Sequence, residues 1–310
     1  LPFASEQTGE EEIATLTGIG PGLWHVCASP EDGGGGHMRS GKTLAAASLT
    51  AVVAFAGSQA AAATNNIMLV GYWPPTNEML RQFSTSSTQN PGGWKGENWG
   101  GLGYNVYSFF PEFPGGVDAN PKGNGDFEVD YQDTSEDFWR ITGEVKPVAL
   151  LTFSRGDFGS NWEIEAGAKN RNRWINDYQA PFQPSPRAPD AGWPVNTARL
   201  STLPTTAIMD NVNAAGLGIQ AYIDTSNNVG GFLSEYLAYH GMWYQGLHAS
   251  LTDPAYCAMA GHIHVGINTP TAAATIAAEI TLRTAIAAIP GPGGAMVVGV
   301  AGMAGLRRRR

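Results

Sequence analysis

Cysteine is nearly missing from this chain: Cys27 and Cys257 are the only two in 310 residues. That excludes a disulfide framework, and no dense Cys/His spacing offers a structural zinc site. Positive charge is also scarce, with 18 Lys and Arg against 27 Asp and Glu, a formal net charge of −9. Nucleic-acid binding needs a basic face for phosphates, so this balance excludes nucleic acid as a partner. Internal repeats are absent as well. Acidity alone selects no substrate.

Long apolar runs occur only near the two ends. Met38-Arg39-Ser40-Gly41-Lys42 leads into an alanine-rich apolar stretch over 43–57, with small residues through Ala63. This is the layout of a secretory signal peptide over 38–63, with cleavage near Ala62 or Ala63. Residues 1–37 then precede a natural start and read as a mis-called, disordered upstream extension. Its Glu31-Asp32-Gly33-Gly34-Gly35-Gly36-His37 run fits a purine-rich ribosome-binding stretch read as protein. At the other end, 290–310 holds Pro290-Gly291-Pro292-Gly293-Gly294, an apolar run over 295–306 and Arg307 to Arg310. This tail resembles the carboxy-terminal sorting signals of exosortase-type (PEP-CTERM) bacterial systems. Its apolar run is shorter than the roughly 17 residues of a comfortable span, and the arginines would stay cytoplasmic. The expectation is an exported protein of the bacterial cell envelope, surface or extracellular space. It meets export and sorting machinery, and a membrane only through the tail.

Between these ends, residues 66–289 alternate strand-like and helix-like segments, the pattern of a sheet with helices on both faces. Strands are expected at 67–73, 104–110, 147–153, 162–169, 218–223 and 258–265. Helices are expected at 136–145, with Asp133, Thr134 and Ser135 as cap candidates, and at 205–215, 230–248 and 271–289. The Val- and Leu-rich strand 147–153 reads as central. Residues 170–203 read as a long Pro-rich, aromatic loop, and loops of that length are usually functional or disordered. The expected fold class is α/β, a three-layer α/β/α domain with a mixed, mostly parallel sheet.

The segment Ser226-Asn227-Asn228-Val229-Gly230-Gly231-Phe232-Leu233-Ser234-Glu235-Tyr236 has the shape of a nucleophile loop entering a helix. A helix's first turn carries unpaired N–H groups and the positive end of the dipole, so Ser234 sits where a developing anion is stabilised. The segment resembles the active-site pattern S-N-x-A-G-x-Y-x-C-N of the pyroglutamyl peptidase (pyrrolidone-carboxylate peptidase) family of cysteine peptidases. Ser234 stands at the cysteine and Glu235 at the asparagine after it. Ser201-Thr202-Leu203-Pro204 is similar to the family's S-T-L-P, and Gly261-His262-Ile263-His264-Val265 to its G-F-I-H-V-P.

The resemblance implies a triad of Ser234, His264 and Glu165. Glu165 is the match to the carboxylate of I-T-L-E-R-V-A-I-N within 162–170, and Glu163 is its neighbour on the same strand face. It also implies a substrate-binding role for Tyr72 and Trp73, since Gly71-Tyr72-Trp73-Pro74-Pro75 is similar to G-F-E-P-F, and for Glu235 beside the nucleophile. Pro75 replaces the family's second ring-covering aromatic, and Arg171 and Arg173 lie near the family's arginine but out of register. The implied activity is hydrolysis of an amino-terminal pyroglutamyl or related amide bond. The implied ligand is a peptide or small amide, with no cofactor.

Ser for Cys leaves two readings. A hydroxyl must give up its proton to a base during attack, whereas a thiol ionises near pH 8.5 and lower at a helix start. The chain is either a serine hydrolase or a catalytically silent envelope protein that keeps the pocket for a ligand. Two further patterns are weaker. His262-x-His264 alternates on one strand face and, with Glu163 or Glu165, could hold a metal, although a two-histidine pair rarely does; no metal is expected. Cys257 lacks a helix terminus to activate it. The aromatics Trp94, Trp99, Tyr104, Tyr107, Trp174, Tyr178, Trp193, Trp243 and Tyr244 line a groove or, more commonly, close a core.

Overall fold

The computed structural model describes residues 64–157 and 159–290. The expected upstream extension, signal peptide and sorting tail (Pro290 apart) lie outside the described residues. Among the described residues no helix is long and apolar enough to cross a membrane.

Eight strands run in chain order: β1 (Asn66–Val70), β2 (Asn105–Phe109), β3 (Ala149–Arg155), β4 (Asn161–Glu165), β5 (Gly167–Lys169), β6 (Ala198–Leu200), β7 (Gln220–Asp224) and β8 (Met259–Val265). Six form the main sheet in the order β2-β1-β3-β8-β4-β7. Every neighbouring pair is parallel except β4 with β8. β5 and β6 make a separate antiparallel pair.

The helices are α1 (Thr76–Leu80), α2 (Tyr131–Val145), α3 (Thr205–Ala214), α4 (Leu233–Leu247) and α5 (Thr271–Ala288). Successive strand residues point to opposite faces. Ile67, Leu69, Leu151, Ile263 and Val265 therefore pack with Leu80, Ile208 and Leu282 of α1, α3 and α5. Met68, Val70, Leu150 and Ala260 pack with Phe138 and Leu237 of α2 and α4. Strands covered on both faces read as continuous apolar runs, as β1 and the first half of β3 do. The architecture is the expected three-layer α/β/α with a mixed, mostly parallel sheet, and β3 lies inside it.

Three local expectations differ. α2 begins before residue 136, because Asp130 rather than 133–135 caps it; its Oδ1 accepts from Gln132 N at 2.9 Å and Asp133 N at 3.1 Å. Any of these short polar residues can cap by type. The fully buried Tyr131, whose hydroxyl donates to Ile175 O at 2.7 Å, draws the first turn inward and decides among them. The second difference is at 162–169, which is two strands. A Cβ on Gly167 would lie 2.5 Å from Asn227 Oδ1 and 2.8 Å from Arg199 O, so only glycine lets the chain leave β4 and pair with β6. Third, the 170–203 loop ends in that strand, β6.

The Ser201–Pro204 stretch covers the lower half of β8. Thr202 N donates to Ala260 O, and Ala260 N donates back to Thr202 Oγ1, both at 2.9 Å. Leu203 drops into the space above Gly261, where a Cβ would meet its Cδ1 at 2.6 Å and Ser201 Oγ at 2.4 Å. Gly261→Ala is therefore expected to destabilise the domain by about 1–3 kcal/mol through overpacking, read as a lower urea midpoint with an unchanged slope.

α4 also buries a histidine. His240 Nδ1 donates to Tyr236 O at 2.8 Å, while Nε2 is buried without a partner among Phe138, Trp139 and Trp243. Burial pulls its pKa down to about 4. A depressed folded value means that the unfolded chain takes up the proton first. The stability of the neutral form is thus present above about pH 6.5 and lost as pH falls toward 4. His240→Phe should flatten the fall in unfolding free energy over that window, measured by denaturant titration at several pH values.

Candidate active site

At one end of the sheet, three adjacent strands carry polar residues on the face turned to α4 while their opposite face stays apolar. The parallel register sets Thr152 beside His262 and Ser154 beside His264. The antiparallel register sets Glu163 opposite His264. On the other face Trp162, Ile164, Ile263 and Val265 belong to the core. Alternation along each strand produces this contrast, and apolar packing alone would not require it.

Within the patch His264 Nδ1 lies 2.8 Å from Glu165 Oε1 and 3.7 Å from Glu163 Oε2. Among the described residues nothing bonds to Nε2. Glu165 is 1% exposed, and its Oε2 is buried without a partner. Burial pushes the Glu165 carboxyl up to about 7, with the hydrogen bond from His264 pulling the other way. Burial also raises Glu163, to a degree that the His264 charge offsets in part. A carboxylate bonded to Nδ1 fixes the tautomer with its proton there and leaves Nε2 as an acceptor.

His262 does not join them. It is fully buried, with Nδ1 at 2.8 Å from Thr152 Oγ1 and Nε2 at 2.8 Å from Ser154 Oγ. Both ring nitrogens are thus taken, and burial holds the ring well below the usual histidine range. The paired-histidine metal pattern fails for that reason. The donor group that the strands bring together is Glu163, Glu165 and His264.

Ser234 is the second residue of α4, half-buried, after Phe232 at the cap position. α4 runs back along the sheet: Cys257 N, just ahead of β8, donates to His248 O at the helix's C-terminal end. Its N-terminus therefore lies toward the ends of β3 and β8, where Arg155 and His264 stand. Aromatic contacts trace the same neighbourhood. The Phe232 ring is 6.2 Å from that of Trp73, and the Arg155 guanidinium lies 4.5 Å from the Trp73 ring centre. Among the described residues no acceptor bonds the N–H groups of Leu233, Ser234 or Glu235, and no hydrogen bond joins Ser234 to His264.

The expected substrate-binding residues divide. Trp73 stays half-buried in this neighbourhood, its Nε1 donating to Pro121 O at 2.7 Å. Tyr72 is in the core, 2% exposed, its hydroxyl 2.7 Å from Thr134 Oγ1, so it has no face for a ligand. Glu235 is 0% exposed and fully engaged. Oε1 accepts from Lys169 N at 3.1 Å, and Oε2 accepts from Gly231 N at 2.8 Å and pairs with Arg171. Its role is to reach back from the first turn and hold the loop ahead of α4. Arg171, also bonded to Asn228 Oδ1, neutralises it. The sequence signal for that pair was an arginine near the family position, whose partner only the fold reveals. Cys257 is inert: burial pushes its thiol up to about 12.

Most of the aromatics close core or loop. Trp94 stacks on Tyr107 at 4.9 Å, Trp99 meets Phe83 at 5.9 Å, and Trp174 meets Tyr236 at 5.3 Å. Removing one partner of a buried ion pair strands the other charge. Arg171→Ala is accordingly expected to cost about 3 kcal/mol, with faster proteolysis within 225–231, measured by unfolding and by mass-mapped limited digestion.

By sequence, no family model and no curated protein matches the chain. By structure, it is similar to a mutant pyrrolidone carboxyl peptidase from P. furiosus, with a TM-score of 0.50 at 19% identity over 72% of this chain and 99% of that one. It is also similar to the pyrrolidone carboxyl peptidase from Thermococcus litoralis, with a TM-score of 0.50 at 17% identity over 71% and 93%. What the chain shares with the pyrrolidone carboxyl peptidases is their fold, over nearly the whole length of those enzymes.

Proposed function

We propose that the protein is a hydrolase of peptide-type amide bonds, acting on an amino-terminal pyroglutamyl or related acyl group. The observation that carries this reading is the Glu165–His264 pair, with Nε2 unclaimed at the sheet end toward which α4 points its N-terminus. In the proposed reaction Ser234 Oγ attacks the carbonyl carbon. His264 Nε2 takes the hydroxyl proton and gives it to the leaving amine as the C–N bond breaks. Water activated by the same nitrogen then releases the acyl group from Ser234, and Glu165 steadies the imidazolium. The unpaired N–H groups of the first turn of α4 would receive the oxyanion. Trp73 and Phe232 offer apolar cover for a small ring. The alternation of polar and apolar faces around this pair supports the reading further.

A second reading has one observation in its favour: Ser234 makes no hydrogen bond to His264. A site shaped for a thiolate, with a hydroxyl in its place, would bind an amino-terminal or cyclic amide without cleaving it. On either reading we place the protein among exported envelope proteins, on the strength of the 38–63 and 290–310 segments.

Assays of the full chain with pyroglutamyl amides and simple esters separate the two. A working serine site predicts turnover that Ser234→Ala lowers by about 1,000-fold or more. A silent site predicts no turnover in the wild type and some in Ser234→Cys, where the helix terminus and His264 favour a thiolate. Turnover undiminished in Ser234→Ala would remove Ser234 from the chemistry.

A further inference from the structure

The hydrolase reading uses one carboxylate at His264, yet two face it. Glu163, Glu165 and His264 each present a donor atom, and the three lie within 4.8 Å of one another. Independently of that clustering, Glu165 Oε2 is an orphan: a buried carboxylate oxygen with no partner, on a residue 1% exposed. Two carboxyl groups and one imidazole are thus gathered partly out of water, with Tyr222 bonded to Glu163 and one buried oxygen, Glu165 Oε2, left over. Buried groups of this kind are normally paired or coordinate a metal.

We propose that Glu163, Glu165 and His264 form a binding site for a first-row divalent cation of the zinc class. Zinc takes nitrogen and carboxylate donors at about 2.0–2.2 Å, so two donors of a tetrahedral site stand about 3.4 Å apart. The 3.7 Å between His264 Nδ1 and Glu163 Oε2 is near that spacing already. The 2.8 Å contact with Glu165 Oε1 needs to open by a fraction of an ångström. Three protein donors leave a fourth position for water. The imidazole nitrogen sets the preference, because magnesium and calcium favour all-oxygen shells. The strands supply a rigid frame, since Glu163 and His264 face each other across a hydrogen-bonded ladder.

Occupancy has a consequence for the proton chemistry, and this part rests on the hydrolase reading. A cation on Nδ1 takes the lone pair there, so the neutral ring must carry its proton on Nε2. The proton leaves Nδ1, Nε2 gains one, and the ring's charge does not change. A protonated Nε2 cannot accept the Ser234 proton. The bound cation therefore silences the site, and Glu163 is the residue that makes it sensitive to metal.

The test is calorimetric titration of the untagged full chain, stripped with chelator, against zinc, magnesium and calcium chloride. We expect one zinc per chain. Glu163→Gln and His264→Gln, shown to be folded by circular dichroism, should each weaken binding by at least the tenfold or so that even an outer partner costs. Absence of saturable zinc binding overturns the site, and so does affinity that neither substitution changes, which would put the ion elsewhere. Magnesium or calcium binding as tight as zinc overturns the imidazole as a ligand. In the amide assay zinc should abolish wild-type turnover and spare Glu163→Gln; zinc bound with turnover unchanged overturns the silencing. A metal-free chain without turnover counts against the hydrolase reading, and the titration alone then decides the cation site.

Discussion

One antiparallel ladder in an otherwise parallel sheet sets up everything at the candidate site. β4 lies against β8 in the opposite sense, with Glu163 directly across from His264. Residues opposite each other on an antiparallel pair share a face and approach within about 5.5 Å. Glu165, two positions along on the same face, reaches the same imidazole diagonally and bonds to Nδ1. A slip of β4 by one residue would turn both carboxylates into the apolar layer beside Ile263 and turn Ile164 out of it, a cost that holds the register firmly. The arrangement at the candidate site is thus secured by the core on the other side of the sheet.

Around this ladder the chain spends its polar groups in two ways. Some are fully satisfied and rigid. His262 is held between Thr152 and Ser154, and Glu235 by two backbone N–H groups and Arg171. These buried networks fix β3 to β8 and the loop to α4. Others are left open: His264 Nε2, Glu165 Oε2 and the first N–H groups of α4. Open buried groups destabilise a fold, so each calls for an explanation, and a ligand or a reacting atom is one. Buried groups without a partner occur elsewhere too, His240 Nε2 among them; what sets Glu165 apart is that it clusters with Glu163 and His264.

On the proposed hydrolase reading, a hydroxyl rather than a thiol at residue 234 alters what the rest must do. A thiolate at a helix start is favoured before any substrate arrives, whereas a hydroxyl gives up its proton only during attack. The burden then moves to His264 and to the carboxylate behind it. Glu165, lifted by burial to about 7, sits close to the range in which its own charge is in play.

The sequence by itself determined the layers. The apolar runs of β1 and β3 marked strands covered on both faces, and the helical stretches beginning near residues 205 and 271 marked their cover. The resemblance at residues 162–170, 226–236 and 261–265 directed attention to Glu165, Ser234 and His264. Periodicity and local motifs carry that information because helix and strand spacings are local. The tertiary structure decided whatever depends on residues far apart in the chain. It took Tyr72 into the core, spent Glu235 on Arg171, and occupied His262 with two hydroxyls from β3. It also chose Asp130 as the cap of α2 through the burial of Tyr131. Each of these turns on which partner reaches a polar group first. In a chain with many Asp, Glu, Asn and Ser residues, type and spacing leave that choice open, and only packing closes it.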